Sequence, residues 1–323
     1  FDISVPFPPK TYIPDDNFEA YLETHDASGN TVSVGDANSM GDGIANNDYV
    51  TTANISGVDH LNVSRKSIAD LTGIADFSNL RTLNCEVNQI SNIDLSQNTF
   101  LETLNCSSNQ LTSLDVSQNT SLVSLIFQSN QLTNLDVSQN TYLILLDCSF
   151  NQFTNLDVSQ NTSLEELSVY HNQLTNLDVS QNTALSRLDC FVNQLTILDV
   201  TQLIALNHLR CNDNLLTNLD VSQNNALISL SCYDNQLTNL DVSQNTFLEI
   251  FDCSNNQINS LDVSQNTFLN SLDCSFNQLT SLDVRNGNNT NFTFFQSRDD
   301  NYNLNCISVD DATWATANWT NID

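Results

Sequence analysis

Between residues 80 and 289 the apolar positions return every 21 residues. The unit reads LxxLxCxxNQLTxLDVSQNTx and begins at Leu80, Leu101, Leu122, Leu143, Leu164, Leu185, Leu206, Leu227, Leu248 and Leu269. Self-similarity at one fixed period marks a repeat architecture, in which each unit buries its apolar face only against its neighbours. In LxxLxC the pattern predicts a short strand with Leu and Cys turned inward. In LDVSQNT, on the return path, Leu and Val point inward while Asp, Ser, Gln, Asn and Thr make the turn. Parallel strands stack about 4.8 Å apart, so about 11–12 of them predict a curved parallel sheet on the order of 50 Å long.

The cysteines serve as the ruler. Cys85, Cys106, Cys148, Cys190, Cys211, Cys232, Cys253 and Cys274 follow one another at 21 or 42 residues, and Phe127 and Val169 fill the two gaps. A column that accepts Phe and Val is an apolar core column. Neighbouring cysteines fall within disulfide range, but their Cβ vectors run side by side in a parallel sheet, which strains a bridge. Zinc needs clustered Cys or His ligands, and this period does not supply them. Buried thiols acting as small hydrophobes are expected, with Cys306 also buried in a C-terminal cap. The Asn at the ninth position, from Asn88 to Asn277, is expected to form a buried ladder that bonds neighbouring turn backbones. The Asp of LDVSQNT, from Asp94 to Asp283, is expected to accept backbone N–H bonds from the residues after it.

The first eleven positions match the leucine-rich repeat pattern L-x-x-L-x-L-x-x-N-x-L, with Cys in place of the third Leu. An earlier unit of 22 residues, VDHLNVSRKSIADLTGIADFSN at 58–79, has an internalin-like I-x-D-L-x-G-I-x-x-F ending. On these motifs the chain resembles the secreted and cell-surface leucine-rich repeat proteins of bacteria. The flanks YIPDDNFEAYL (12–22) and LNCISVDDATWATANW (304–319) extend the resemblance over nearly the whole chain. It implies a leucine-rich repeat solenoid, irregular or 3-10 on its convex side, with an N-terminal cap over 1–57, repeats over 58–289 and a C-terminal cap over 290–323. The ends of such a stack need covering. Phe18, Tyr21 and Leu22 give residues 14–25 one apolar helical face, and Phe292, Phe294, Phe295, Trp314 and Trp319 are expected to cover the last coil.

Charge narrows the function. The 38 acidic and 8 basic side chains leave a formal net charge of −30. Nucleic-acid binding and docking on an anionic membrane both rest on clustered Lys and Arg, so neither is expected. The longest apolar runs, such as LILL at 143–146, are too short to cross a bilayer. The opening FDISVPFPPK has no basic or apolar leader, so a signal peptide is expected to have been removed. A secreted or cell-surface location is expected on the resemblance. No nucleophile with a base, paired carboxylates in an apolar pocket or cofactor loop is legible, so the chain reads as a non-enzymatic, monomeric binding module. The loop GDANSMGDGIANND at 35–48 partly follows a calcium loop through Asp36, Asn38, Asp42 and Asp48. Its spacing departs from D-x-N-x-D-G, and no Glu follows at the twelfth position. A polar turn is therefore the default, with a structural calcium ion the one cofactor to weigh.

The repeated phrase and the varying letters make different claims on function. Uniform LDVSQNT suits a turn that every coil makes alike. Its rival use is a flat ice- or crystal-binding array of Thr99, Thr120, Thr141, Thr162, Thr183, Thr246 and Thr267, which breaks at Ile204 and Asn225. Variation falls instead on positions 2, 3, 5, 7 and 8, the strand face. Between residues 82 and 284 the only basic residues are Arg187 and Arg210, and both lie there with His171 and His208. Position 3 reads Glu166, Arg187, His208; position 5 reads Asp189, Arg210; position 7 supplies Tyr170, Phe191 and Tyr233; position 8 supplies Phe150, His171 and Asp213. Cross-strand pairs Glu166–Arg187 and Asp189–Arg210 would account for the charges alone. They do not account for aromatics concentrated in the same units, and exposed Tyr, Phe and Arg are the usual anchors of a binding patch. These eleven residues are the expected contact surface for a protein or polysaccharide ligand.

Overall fold

The computed structural model describes residues 8–297 and 301–319. The outer parts of both expected caps and most of the FDISVPFPPK opening lie outside the described residues. The chain divides into two compact units, Phe1–Phe153 and Thr154–Asp323.

The first unit starts with the strand Lys10–Tyr12, antiparallel to Tyr49–Thr51, and the helix Asp16–Thr24. Asp15 caps that helix: its Oδ1 accepts the N–H groups of Asn17 and Phe18, both at 3.0 Å. Its other oxygen accepts the N–H groups of Ala69 and Asp70 at 2.8 and 3.1 Å. One carboxylate thus satisfies the helix terminus and fastens it to the first repeat. Phe18, Tyr21 and Leu22 are buried as the helical spacing requires, and the Phe18 ring lies 6.2 Å from that of Phe77. Five parallel strands follow, His60–Asn62, Thr82–Asn84, Thr103–Asn105, Ser124–Ile126 and Leu145–Asp147, each in register with the next.

The second unit carries seven more: Glu166–Ser168, Arg187–Asp189, His208–Arg210, Ser229–Ser231, Ile250–Asp252, Ser271–Asp273 and Phe294–Gln296. Within each unit the described strands pair without a slip, so each side-chain position forms a column. A one-residue slip would move the inward Leu of each strand to solvent. Each unit is a stretch of leucine-rich repeat solenoid. The return path is mostly paired turns, as in Asn245 N to Val242 O and Leu248 N to Asn245 O, both at 3.0 Å. Among the described residues 3-10 geometry is confined to Ile74–Asp76 and Asn289–Asn291. A second parallel sheet, Ser260–Asp262, Ser281–Asp283 and Ile307–Ser308, replaces turns on the last returns.

The core is one column of Leu or Phe per strand, with Cys, Leu and Val columns behind it, almost all without solvent contact. Burying each such side chain contributes about 1.5–3 kcal/mol. The cysteines form no disulfide, and the eight of the ladder are buried. Burial pushes the Cys85 and Cys211 thiols up to about 12, so no thiolate forms at neutral pH. Cys306 departs from expectation and is exposed, because it precedes the short Ile307–Ser308 strand at the surface of the cap. The native protein should therefore give one thiol per chain with Ellman's reagent, and the denatured protein all nine.

The ninth-position Asn column behaves as its spacing implies. Asn214 Nδ2 donates to the carbonyls of Cys190 and Cys211, both at 3.1 Å, and its Oδ1 accepts from Leu195 N at 2.9 Å. The structure adds a second buried ladder from the Asn of LDVSQNT, including Asn98, Asn119, Asn182, Asn224, Asn245 and Asn266. Asn245 Nδ2 donates to Val221 O and Asn224 O in the preceding repeat at 3.0 and 2.9 Å. Leu203 takes this inward place in its own repeat and is buried, while Ile204 beside it is 68% exposed. In the C-terminal cap Trp319 packs on Phe295, Phe292 and Trp314 with centroids 4.3, 5.7 and 5.8 Å away. Phe294 does not join them: alternation along its strand turns it to the outer face, 47% exposed.

Candidate binding face

The LDVSQNT turn is held by its own side-chain hydrogen bonds. Each described Asp accepts the N–H two residues on, as in Ser96 N to Asp94, Ser117 N to Asp115 and Ser243 N to Asp241, all at 2.9 Å. These bonds to the following Ser hold the Asp115 carboxyl below its ordinary value, although the Asp94 and Asp136 charges push the other way. At Asp115 the local hydrogen bonds outweigh the neighbouring charges. The Thr column on the same side is exposed, but Phe100, Tyr142, Phe247 and Phe268 protrude at the next position and interrupt any flat polar plane.

The strand face is where the columns differ. In-register neighbours place side chains of equal position within stacking distance, and the second unit uses this. The Tyr170 and Phe191 rings lie 4.3 Å apart with 8° between their planes. Arg210, from the strand on the other side, sets its guanidinium carbon 4.6 Å from the Phe191 centroid. His171 stands edge-on to Phe191 at 5.8 Å and to Tyr170 at 5.9 Å. Tyr170, Phe191 and Arg210 therefore form a stack three strands deep, in which cation–π and ring stacking each contribute about 0.5–1.5 kcal/mol.

Asp189 anchors this stack from below. It is 4% exposed, its Oδ2 accepts Arg187 Nε at 2.9 Å, and Oδ1 lies 4.0 Å from Arg210 Nε. The expected Asp189–Arg210 pair is present. The expected Glu166–Arg187 ion pair is not formed among the described residues, although the two are register partners. Arg187 turns along its own strand to the buried carboxylate, and Glu166 stays exposed. His208 Nδ1 is 2.5 Å from Asn207 Oδ1. Asp213 accepts from Asn212 Nδ2 at 2.7 Å. Burial raises the Tyr233 hydroxyl first, and the Asp213, Asp252 and Asp234 charges raise it further. Phe150 belongs to the first unit, where it is exposed.

Two features of this face escaped the sequence reading. The carboxylates continue past Asp213 through Asp234, Asp252 and Asp273, in the columns of positions 8 and 5 already singled out. The second feature is conformational. Position 8 is left-handed in every 21-residue repeat, with φ from 49° to 58° at Val87, Ser108, Ser129, Phe150, His171, Val192, Asp213, Asp234, Asn255 and Phe276. Left-handed backbone costs about 1–2 kcal/mol for an ordinary L-residue and favours Gly or Asn. Bulky residues kept there carry a stability cost that their own folding does not require. Val192→Asn is expected to stabilise the chain by about 0.5–1 kcal/mol in urea unfolding. A loss of stability would show that Val192 is held by packing.

In the acidic loop of the N-terminal cap, Asp36, Asp42 and Asp48 do not converge on one point among the described residues, and the Asn38 amide donates to Asp36. Asp36 accepts from Asn38 N at 2.9 Å. Asp42 accepts Lys10 Nζ at 2.7 Å, Asn47 Nδ2 at 3.0 Å and Ile44 N at 3.0 Å. Asp42 is thus ion-paired with the Lys10 ammonium. Asp48 instead lies near Asp16 and Glu19, with oxygen atoms of the three within 4.8 Å of one another. Glu19 in turn accepts the N–H groups of Asn47 and Asp48.

No family model matches the sequence, and a search of curated proteins finds no match. Solved structures do match. The functional domain of InlJ from Listeria monocytogenes, described as including a cysteine ladder, aligns with a TM-score of 0.82 and 37% identity over 93% of this chain. The 21-residue repeat solenoid of this chain fits an internalin-like leucine-rich repeat protein. It spans 64% of that InlJ domain, a little under two thirds of its length. A leucine-rich repeat protein of Leptospira interrogans aligns with a TM-score of 0.68 and 26% identity, covering 77% of this chain and 71% of the other. The internalin InlF of Listeria monocytogenes shares the fold at 23% identity, with a TM-score of 0.71 over 97% of this chain and 95% of its own. The cysteine ladder read here from Cys85 to Cys274 thus has a counterpart in the InlJ domain.

Proposed function

We propose that the chain is a non-enzymatic, extracellular or cell-surface binding module that holds a protein partner against the strand face of its second unit. The observation that carries this reading is the Tyr170–Phe191–Arg210 stack, fixed from below by buried Asp189. A rigid aromatic and guanidinium platform at the surface has little side-chain entropy left to lose on binding. The internalin-like architecture supports a binding role, and no described helix is long and apolar enough to cross a membrane. A polysaccharide ligand would use the same stack through its sugar faces.

A paired protein and glycan array, probed with the wild type and with Phe191→Ala and Arg210→Ala variants, tests this. Specific capture by the wild type should fall at least about tenfold in either variant, as expected for removal of a central anchor. Melting temperatures within a few degrees of wild type would separate lost contact from lost fold. Capture that is indifferent to both substitutions would move the site elsewhere.

A further inference from the structure

The face changes character beyond the stack. Asp252 and Asp273 are direct register partners on adjacent strands, so two like charges sit opposite each other. Such pairs weaken a sheet, and cations alongside would ordinarily relieve them. Here the sequence holds no Lys or Arg from residue 211 to residue 284. Asp213 and Asp234 belong to the same group, at the left-handed eighth position of their repeats. The group is partly withdrawn from water. Burial raises Asp234, with the Asp213 charge adding to it; burial also raises Asp252, where the hydrogen bonds from Ser254 pull the other way and the Asp273 and Asp234 charges push further up. Asn255 Nδ2 contacts Asp234 Oδ1 without neutralising it. Four carboxylates thus gather beside Tyr233, next to the aromatic stack, and among the described residues no Lys or Arg is paired with them.

We infer that this half of the face receives Lys or Arg side chains from a basic segment of the protein partner, while Tyr170 and Phe191 seat an adjoining apolar or aromatic residue. The inference rests on the binding-face reading above and adds the chemistry of the partner. Charge complementarity selects a basic segment over an acidic glycan: Asp189 already engages Arg187 and Arg210, and the remaining charges on the neighbouring columns are negative. Binding should be fast and should weaken as salt screens the carboxylates.

The experiment uses the full chain and a fluorescein-labelled hexalysine peptide, followed by anisotropy at about 0.15 M salt. One variant carries Asp234→Asn, Asp252→Asn and Asp273→Asn. A control of equal charge carries Asp199→Asn, Asp220→Asn and Asp241→Asn on the return turns, where Asn can keep the same turn bond. The face variant should lose at least about tenfold in affinity and the turn variant less than about twofold. Ser231→Lys, in register between Arg210 and Asp252, places a cation in the group without removing any carboxylate. It should weaken the peptide to a similar degree, which guards against misfolding of the triple variant. Equal losses in the two triple variants would reduce the effect to net charge and overturn the inference. So would calcium binding at this group in the wild type with no peptide binding. Array capture that depends on Phe191 but is untouched by the face variant would leave the binding face standing and remove only the basic partner.

Discussion

Gly73→Ala is expected to destabilise the first unit by about 2–5 kcal/mol, among the largest single-residue effects in the chain. Gly73 has φ of +98°, and a Cβ there would come 2.3 Å from Ile13 Cδ1, 2.7 Å from Tyr12 O and 3.0 Å from Thr11 Cγ2. The first contact could relax, but the second is backbone of the cap strand Lys10–Tyr12 and has nowhere to go. The same strand is held by Thr11, whose hydroxyl donates to Asp76 Oδ2 at 2.6 Å, just beyond the glycine. The substitution therefore pushes the cap off the first repeat, adding the left-handed strain to the steric one. Urea unfolding followed by circular dichroism, with hydrogen exchange resolved by segment, measures it. Exchange should rise over residues 10–77 and stay unchanged over 154–297. Gly57 is the control, since its Cβ would meet nothing within 4 Å, and Gly57→Ala should cost under about 0.5 kcal/mol. Equal costs at the two glycines would refute the account of how the cap is docked.

The second large effect is expected at Asn214. Its amide donates to Cys190 O, Cys211 O and Asn212 O, and its oxygen accepts from Leu195 N. In Asn214→Ala the buried Leu195 N–H loses its acceptor and two coils lose the tie between them, at about 1–3 kcal/mol for each buried group left bare. A total of about 3–5 kcal/mol in the middle of a one-dimensional array should also split the unfolding transition, because each repeat is stabilised by its neighbours alone. The second Asn ladder should be more forgiving. Leu203 already stands in that column and is buried, so Asn245→Leu should cost about 1 kcal/mol. If both substitutions cost the same, the two ladders are equivalent and the distinction drawn between them fails.

Much of this architecture was legible because the chain samples each local environment ten times over. Phe127 and Val169 in the cysteine column show that burial, not thiol chemistry, fills it. Helical spacing at Phe18, Tyr21 and Leu22 located the N-terminal helix, and Asp at a fixed place in every turn announced its hydrogen bond. The binding face was legible only as a set of columns. Which of two acidic neighbours Arg187 would choose could not be read from spacing, because Glu166 and Asp189 are both within reach. Burial of Asp189 decided it, since a carboxylate withdrawn from water interacts more strongly with its partner than an exposed one does.

Other features appear only once the coils are stacked. The left-handed eighth position has no glycine to signal it. Its geometry is imposed by the strand before it and by the buried Asn after it, whose bonds fix the turn whatever side chain intervenes. The four crowded carboxylates come together through register, across residues 21 apart or nearly so. Sequence alone determined the repeat, its core and its frame, because those follow from local pattern and burial. Tertiary structure alone decided which variable side chains meet and at what distance, because those contacts lie between coils.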